Sequence, residues 1–374
     1  MRQEDFGIDQ PRVAQRCYIT RWRLEPQNPN AAVSDPVKPI VWYIDPATPE
    51  KYVPWLIQGI NAWEPVFLRA GFSNAIMARR VPTPQEDPEF DLDDARYTTL
   101  RWLPSTIENA YGPSVTDPRT GEILQANVAF YHNITSLLQA WYWAQAGAVE
   151  PLARRLPFPD SVMGRMVAYV ATHEIGHSLG LQHNMLASSG YPVDSLRSPT
   201  FTSRYGTTPS IMDYARNNYV AQPGDGVTNL MPGLGPNDDY VINWGYRFIR
   251  GAATPDAERP VLDSLARLQD NNPWFRFGNM DGIDPRTQRE AIGDDPVRAS
   301  GFGVLNLRRL VPMLIPATTT DRLDDYELLN DMYGRLIGQW ALEMSHVSVM
   351  VGGVYRHERY PDQPGVIHTA VPRD

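Results

Sequence analysis

Cysteine is almost missing from this chain: Cys17 is the only one among 374 residues. A lone thiol excludes any internal disulfide and says little about compartment. Long apolar runs are missing too, since none approaches the roughly 20 residues needed to span a bilayer. The opening residues, Met1-Arg2-Gln3-Glu4-Asp5-Phe6, lead into no apolar segment of the kind a signal peptide carries. Nor is there an excess of positive charge. The net charge of −9 and a pI near 5.3 argue against a nucleic-acid or anionic-membrane surface as partner. Internal repeats are absent as well. Asp-Pro-Arg-Thr occurs at 117–120 and again at 284–287, but the surroundings differ, which predicts two turns and no repeat.

The composition is otherwise that of an ordinary globular chain, with 42% hydrophobic and 21% charged residues, so a packed core is expected. The length admits one large domain or two, at roughly 100–200 residues each. With 34 prolines and 27 glycines, the chain reads as loop-rich.

One stretch organises the rest: His173-Glu174-Ile175-Gly176-His177-Ser178-Leu179-Gly180-Leu181-Gln182-His183-Asn184. Two histidines four residues apart lie on one side of a helix, one turn above the other. Both imidazoles can then reach a single metal ion from one rigid element. Glu174 stands beside the first, close to the metal without being placed as its ligand. Gly180 can end the helix, because glycine accepts the left-handed conformation at no steric cost. His183 can then return as a third ligand. Three protein nitrogens leave one zinc position open for water, the arrangement of a catalytic zinc site.

This H-E-x-x-H-x-x-G-x-x-H pattern resembles that of the metzincin metalloproteases. Downstream, Ser210-Ile211-Met212-Asp213-Tyr214 looks like the Met-turn that metzincins place beneath the zinc, with Met212 as its methionine. Tyr214 stands where astacins and serralysins carry a tyrosine that approaches the metal, which implies an extra ligand or a stabiliser of the transition state. A tyrosine simply bonded to backbone is the alternative. Asn184 marks the branch rather than a shared function.

Around this centre the chain reads in order. Residues 1 to about 36 are polar and proline-punctuated. Cys17 lacks the flanking residues of a matrixin latency switch and reads as a packing residue. Pro39–Asp45 is an apolar run short enough for a buried strand. A helix starts near Thr48-Pro49-Glu50, carries Leu56, Ile60, Trp63 and Phe67 at helical spacing, and stops at Gly71. Tyr97–Leu103 and Gly121–Tyr131 read as further strands. In metzincins the latter corresponds to the antiparallel sheet edge above the cleft, so Ala126, Asn127, Val128, Ala129 and Phe130 are expected to bind substrate as an added strand. An ordinary inner strand is the other reading. The helix bearing the histidines is predicted to start near Asp160, with Val162, Met166, Val167 and Val170 as its apolar stripe. Ser-, Gly- and Pro-rich loops follow to about Thr208, and another helix opens at Gly235–Tyr246. Beyond 251, Val304–Leu314 is amphipathic. In a longer run Leu329, Met332, Leu336, Trp340 and Val347 share a face, and Val351–Tyr355 is loop-like. His132, His346, His357 and His368 fit no ligand spacing.

Across nearly its full length the chain is similar to the bacterial zinc-dependent metalloproteases of the Met-zincin family. The resembling stretches are Tyr111-Gly112-Pro113, Asp117–Leu124, the zinc motif, Ser210–Tyr214 with the following Ala215–Asp225, and Val351–Tyr355. The resemblance implies an α+β, metzincin-like fold in which a twisted mixed sheet packs on the active-site helix. It divides the chain into an N-terminal extension (1–36), a catalytic domain (37–250, upper subdomain to about 184, lower subdomain 185–250) and a mainly helical C-terminal extension (251–374). It implies one catalytic Zn2+ held by His173, His177 and His183, Glu174 as general base, and a peptide or protein substrate. Family members generally carry a secretion signal and a further N-terminal region, so the resemblance also implies export to the periplasm or outside and a missing N-terminal part. Two other classes stay open: a zinc-retaining but inactive binding protein, which Glu174 counts against, and a scaffold that needs no metal.

Overall fold

The computed structural model describes the chain apart from residues 1, 5–6, 8–10, 13–14, 281, 320–324 and 374. Ten strands and eleven α-helices are found among the described residues. The strands are β1 (Arg2–Glu4), β2 (Gln15–Cys17), β3 (Ile40–Ile44), β4 (Ile76–Arg80), β5 (Thr98–Leu103), β6 (Ala110–Tyr111), β7 (Ser114–Thr116), β8 (Ile123–Tyr131), β9 (Val354–Arg356) and β10 (His368–Ala370). The helices are α1 (Val53–Asn61), α2 (Glu64–Arg69), α3 (Ile134–Ala146), α4 (Asp160–Ser178), α5 (Val193–Leu196), α6 (Pro199–Tyr205), α7 (Pro236–Tyr246), α8 (Pro255–Ala266), α9 (Pro296–Leu310), α10 (Leu314–Thr318) and α11 (Glu327–Ser348). The fold is α+β, as a metzincin-like chain requires. No described helix is long and apolar enough to cross a membrane.

The chain forms two compact units that interleave along the sequence. One comprises Met1–Ile134, Val170–Gln182 and Asp239–Leu265, the other Thr135–Tyr169, His183–Asp238 and Ala266–Asp374.

The first unit is built on a six-stranded mixed sheet in the order β4-β3-β5-β8-β6, with β7 also paired to β8. β3, β4, β5 and β8 run parallel, and β6 and β7 run antiparallel to β8. Alternation along β3 puts Ile40, Trp42 and Ile44 into the core, as side chains on a strand point to opposite faces. Leu56 and Ile60 of α1, with Trp63 and Phe67, are fully buried at the predicted helical spacing. That run is two short helices rather than one, and it ends at Gly71, whose φ of +101° suits glycine.

Residues 18–36 are tied into this unit. Arg21 exchanges backbone hydrogen bonds with Gly121 and Ile123, and Ser34 forms a bridge with Phe72. The side chain of Cys17 lies outside the described residues.

The expected substrate edge is corrected here. Ala126–Phe130 belongs to an inner strand: β5 pairs it on one side, β6 and β7 on the other. Its backbone is engaged on both sides, since even Asn127 N–H donates to Pro113 O. The antiparallel edge is instead the broken strand β6–β7, residues 110–116.

In the second unit Tyr191, Val193, Leu196, Ala215, Tyr219, Val220, Ile292 and Ala299 form an apolar core, flanked by Phe201, Tyr205, Trp274 and Phe302. The stretch expected to be loop as far as Thr208 contains α5 and α6. Helix α11 packs on α9 and α10, but its inward face differs from the predicted one. Met332, Leu336, Gln339, Glu343 and His346 point inward, while Trp340 is 51% exposed. The seam is partly polar: Gln145 donates to Gln339, and Gln339 donates to Glu343. Met332 and Leu336 of the predicted face are thus inward, but hydrophobicity alone missed the polar members of the seam and wrongly included Trp340. Val354 and Tyr355 of the expected loop, with Arg356, pair antiparallel with β10.

Candidate metal centre

Helix α4 starts as expected at Asp160, where a carboxylate favours the positive end of the helix dipole. Val162, Met166, Val167 and Val170 are buried, which fixes the rotation of the helix about its axis. Farther along, the Trp63 indole donates to Thr172 O at 3.0 Å, and the Thr172 hydroxyl donates to Gly59 O at 3.0 Å. These bonds hold the backbone immediately before His173. At the C-terminal end, carbonyls left without intrahelical donors are satisfied from elsewhere in the chain. The Trp22 indole donates to Ser178 O at 2.8 Å, and Tyr246 OH donates to Leu179 O at 2.8 Å. Gly180, at φ +90°, turns the chain away; a Cβ there would lie 2.0 Å from Thr20 O.

His173 and His177 stand one turn apart, with ring centroids 4.8 Å apart and planes at 88°. His183 follows six residues on, and one ligand nitrogen from each of the three lies within 4.8 Å of the others. The donor set fits zinc, which takes imidazole nitrogens and does not require an anionic ligand. His177 adds a second fit: its Nδ1 lies 3.0 Å from Leu181 O. Donation to that carbonyl fixes the tautomer and leaves Nε2 free for a metal, as in most histidine-ligated sites. Burial pushes the His177 pKa down, against the opposing pull of the Leu181 carbonyl, which favours the neutral ring.

Glu174 points toward the edge strand. A Cβ on Gly112 would meet Glu174 O at 3.1 Å and Glu174 Oε2 at 3.4 Å. The same Cβ would meet the Val128 side chain at 3.4 Å, so β8 lies behind the edge at this point.

His183 is steadied through its neighbour. Asn184 N–H donates to Met212 O at 3.0 Å. Its side chain donates to Asn237 Oδ1 and Arg276 O and accepts from Gly278 N–H at 3.0 Å. Met212 is buried in a turn shaped by Asp238, whose carboxylate accepts from Ser210 Oγ at 2.7 Å, Ile211 N at 2.9 Å and Gly235 N at 2.8 Å.

Tyr214 faces His183 with ring centroids 4.3 Å apart. Two guanidinium groups also lie over its ring, those of Arg216 and Arg289. The Arg216 guanidinium is sandwiched 4.2 Å from the Tyr214 ring centre and 3.8 Å from that of Trp141. Glu290 pairs with Arg216 at 3.4 Å, both side chains being nearly buried at 13% and 14% exposure.

With this geometry in view, residues 155–374 match the family described as Met-zincin, more than half of the chain. The chain belongs to the Met-zincin family. No curated protein and no solved structure matches it.

In this Met-zincin the three histidines chosen from sequence converge, and Tyr214 lies against one of them. Ala126–Phe130 does not present a free edge. Sequence reasoning assigned no role to Gly112, Arg216 or Glu290 and read Asn184 only as a mark of the branch. For Gly112 a signal was available: it lies in the resembling stretch Tyr111-Gly112-Pro113, and a proline within a strand belongs at a sheet edge or a bulge.

Proposed function

We propose that this Met-zincin is a zinc-dependent endopeptidase. The convergence of three imidazole nitrogens within 4.8 Å, with Glu174 next in sequence to the first of them, carries the reading. His173, His177 and His183 would hold the ion. Zinc, when bound, supplies Lewis acidity that makes water a nucleophile near neutral pH and polarises the peptide carbonyl.

The remaining work falls to the chain. Glu174 takes the proton from the attacking water and passes it to the departing amine; a glutamate is basic enough for this yet ionised at rest. Tyr214, oriented by His183 and Arg216, offers its hydroxyl to the oxygen on which negative charge develops. The edge strand β6–β7 replaces Ala126–Phe130 as the element to which substrate backbone adds. The closeness of Gly112 to Glu174 supports that placement, because a peptide paired there would run past the general base. Export to the periplasm or the cell exterior belongs to the same proposal and rests on the family resemblance.

The test is metal analysis together with cleavage of a mixed peptide library by the purified chain, before and after chelation. Stoichiometric zinc and cleavage abolished by chelation are expected. Bound zinc with no cleavage would leave a zinc-retaining binding protein instead.

A further inference from the structure

Two guanidinium groups address Tyr214, and they differ in what else they do. Arg216 is committed. It is stacked between two rings and paired with Glu290, whose other oxygen accepts from Gln145 at 2.9 Å. Arg289 lies on the same ring, its guanidinium carbon 6.0 Å from the ring centre. It is exposed, and among the described residues its guanidinium has neither a carboxylate partner nor a side-chain hydrogen bond.

Its backbone is nevertheless fixed. Arg289 O accepts from His346 Nε2 at 2.8 Å, and the next N–H, of Glu290, donates to Tyr214 O at 2.9 Å. Glu290 adopts φ +62°, a left-handed turn that carries its own side chain inward and leaves that of Arg289 outside. The nearest sequence neighbour of like charge, Arg286, is already paired with Asp284 at 2.6 Å. The other titratable groups of this segment, Glu290, Glu343 and His346, are turned inward.

We propose that Arg289 is a carboxylate-binding subsite beside the metal centre, selecting peptides that present an acidic side chain or a free C-terminal carboxylate there. The inference rests on the peptidase reading for its substrate class. A guanidinium suits a carboxylate because its planar fork can donate two parallel hydrogen bonds. The chain as a whole is acidic, with net charge −9, and repels acidic peptides at long range. A preference for them therefore requires a local cation of this kind.

The experiment uses the full zinc-loaded chain and peptides that differ only by Glu, Gln or Lys at each position flanking the cleaved bond, each with a free or an amidated C-terminus. At one flanking position Glu should exceed Gln in kcat/KM by roughly ten-fold, the scale of a charged hydrogen bond. Arg289→Ala should abolish that ratio, bringing the Glu and Gln peptides to the same kcat/KM, and Arg289→Glu should favour Lys. A ratio seen only with free C-termini assigns the carboxylate to the chain end, and one that survives amidation assigns it to the side chain. In parallel, fluorescence anisotropy reads binding of the labelled Glu and Gln peptides to the Glu174→Gln chain, with and without Arg289→Ala. A binding preference that depends on Arg289 without hydrolysis by the parent would sink the peptidase reading and keep the subsite. An acid preference unchanged in Arg289→Ala, or none in the parent in either assay, overturns the proposal.

Discussion

Gly112 lies tightly against Glu174: a Cβ there would stand 3.1 Å from the Glu174 carbonyl oxygen and 3.4 Å from Oε2. Contacts that tight force a neighbour to give by a few tenths of an ångström. If Glu174 moves the proton, Gly112→Ala should cut peptide hydrolysis on the order of ten-fold, since small misplacements of a catalytic group are costly. Zinc content and thermal stability should hold. A Gly112→Ala chain as active as the parent would mean that the edge strand does not pass over the general base.

Glu174→Gln should leave zinc bound and the fold intact, because neither the ligand set nor the apolar stripe of α4 depends on its charge. Hydrolysis should fall by roughly 10²–10⁴-fold, mainly in kcat. Stability, metal content and rate measured on one preparation decide this, and an undiminished rate would assign the activity to another site.

His183→Ala removes a ligand rather than its support. Its zinc affinity should drop by more than the roughly 10–100-fold that losing an outer-shell partner costs. Asn184→Ala, which removes only the side-chain bonds to Asn237, Arg276 and Gly278, should fall within that range. Equal zinc affinity in His183→Ala and the parent would exclude His183 as the third ligand.

Arg216→Ala leaves Glu290 buried without its cation, a loss that in comparable buried pairs costs about 3 kcal/mol or more. Chemical denaturation should register this. Arg216→Lys should recover little of it, since an ammonium lacks the plane that stacks between Trp141 and Tyr214. Full recovery by lysine would show that charge alone matters there.

Burial lifts the Asp213 carboxyl well above its usual range, against the opposing hydrogen bond from Ser188 N–H at 2.6 Å. The folded chain therefore binds this proton more tightly than the unfolded one. The stability it contributes is fully present below the unfolded pKa of about 3.9 and is lost as pH rises through the raised folded value. Asp213→Asn should flatten that decline, narrowing the difference in unfolding midpoint between acidic and neutral pH. An unchanged difference would trace the decline to other groups.

What was legible in the sequence was local. The spacing of His173, His177, Gly180 and His183 is a property of one helix and its end, so eleven residues carry it. Asp160 and the stripe from Val162 to Val170 fixed that helix for the same reason. The edge strand was harder. Its two pieces, Ala110–Tyr111 and Ser114–Thr116, are too short to show a period of two, and the long apolar run of β8 drew the assignment instead. Helix α11 misled for a related reason, because Gln339, Glu343 and His346 are buried through partners distant in sequence. Arg216 and Arg289 gave no local signal. Their meaning comes from rings and carboxylates that only the folded chain assembles.

The hydrogen bond from Trp22 to Ser178 spans 156 residues, and this sets an order of events during synthesis. Trp22 leaves the ribosome long before its acceptor exists, by roughly ten to thirty seconds at ordinary elongation rates. Until then the first strip of chain can neither close the end of the histidine helix nor settle against Gly180. The metal-binding stretch therefore acquires its final support only when chain made early is still free to return to it, and anything that holds the nascent N-terminus elsewhere delays the closing of that helix end.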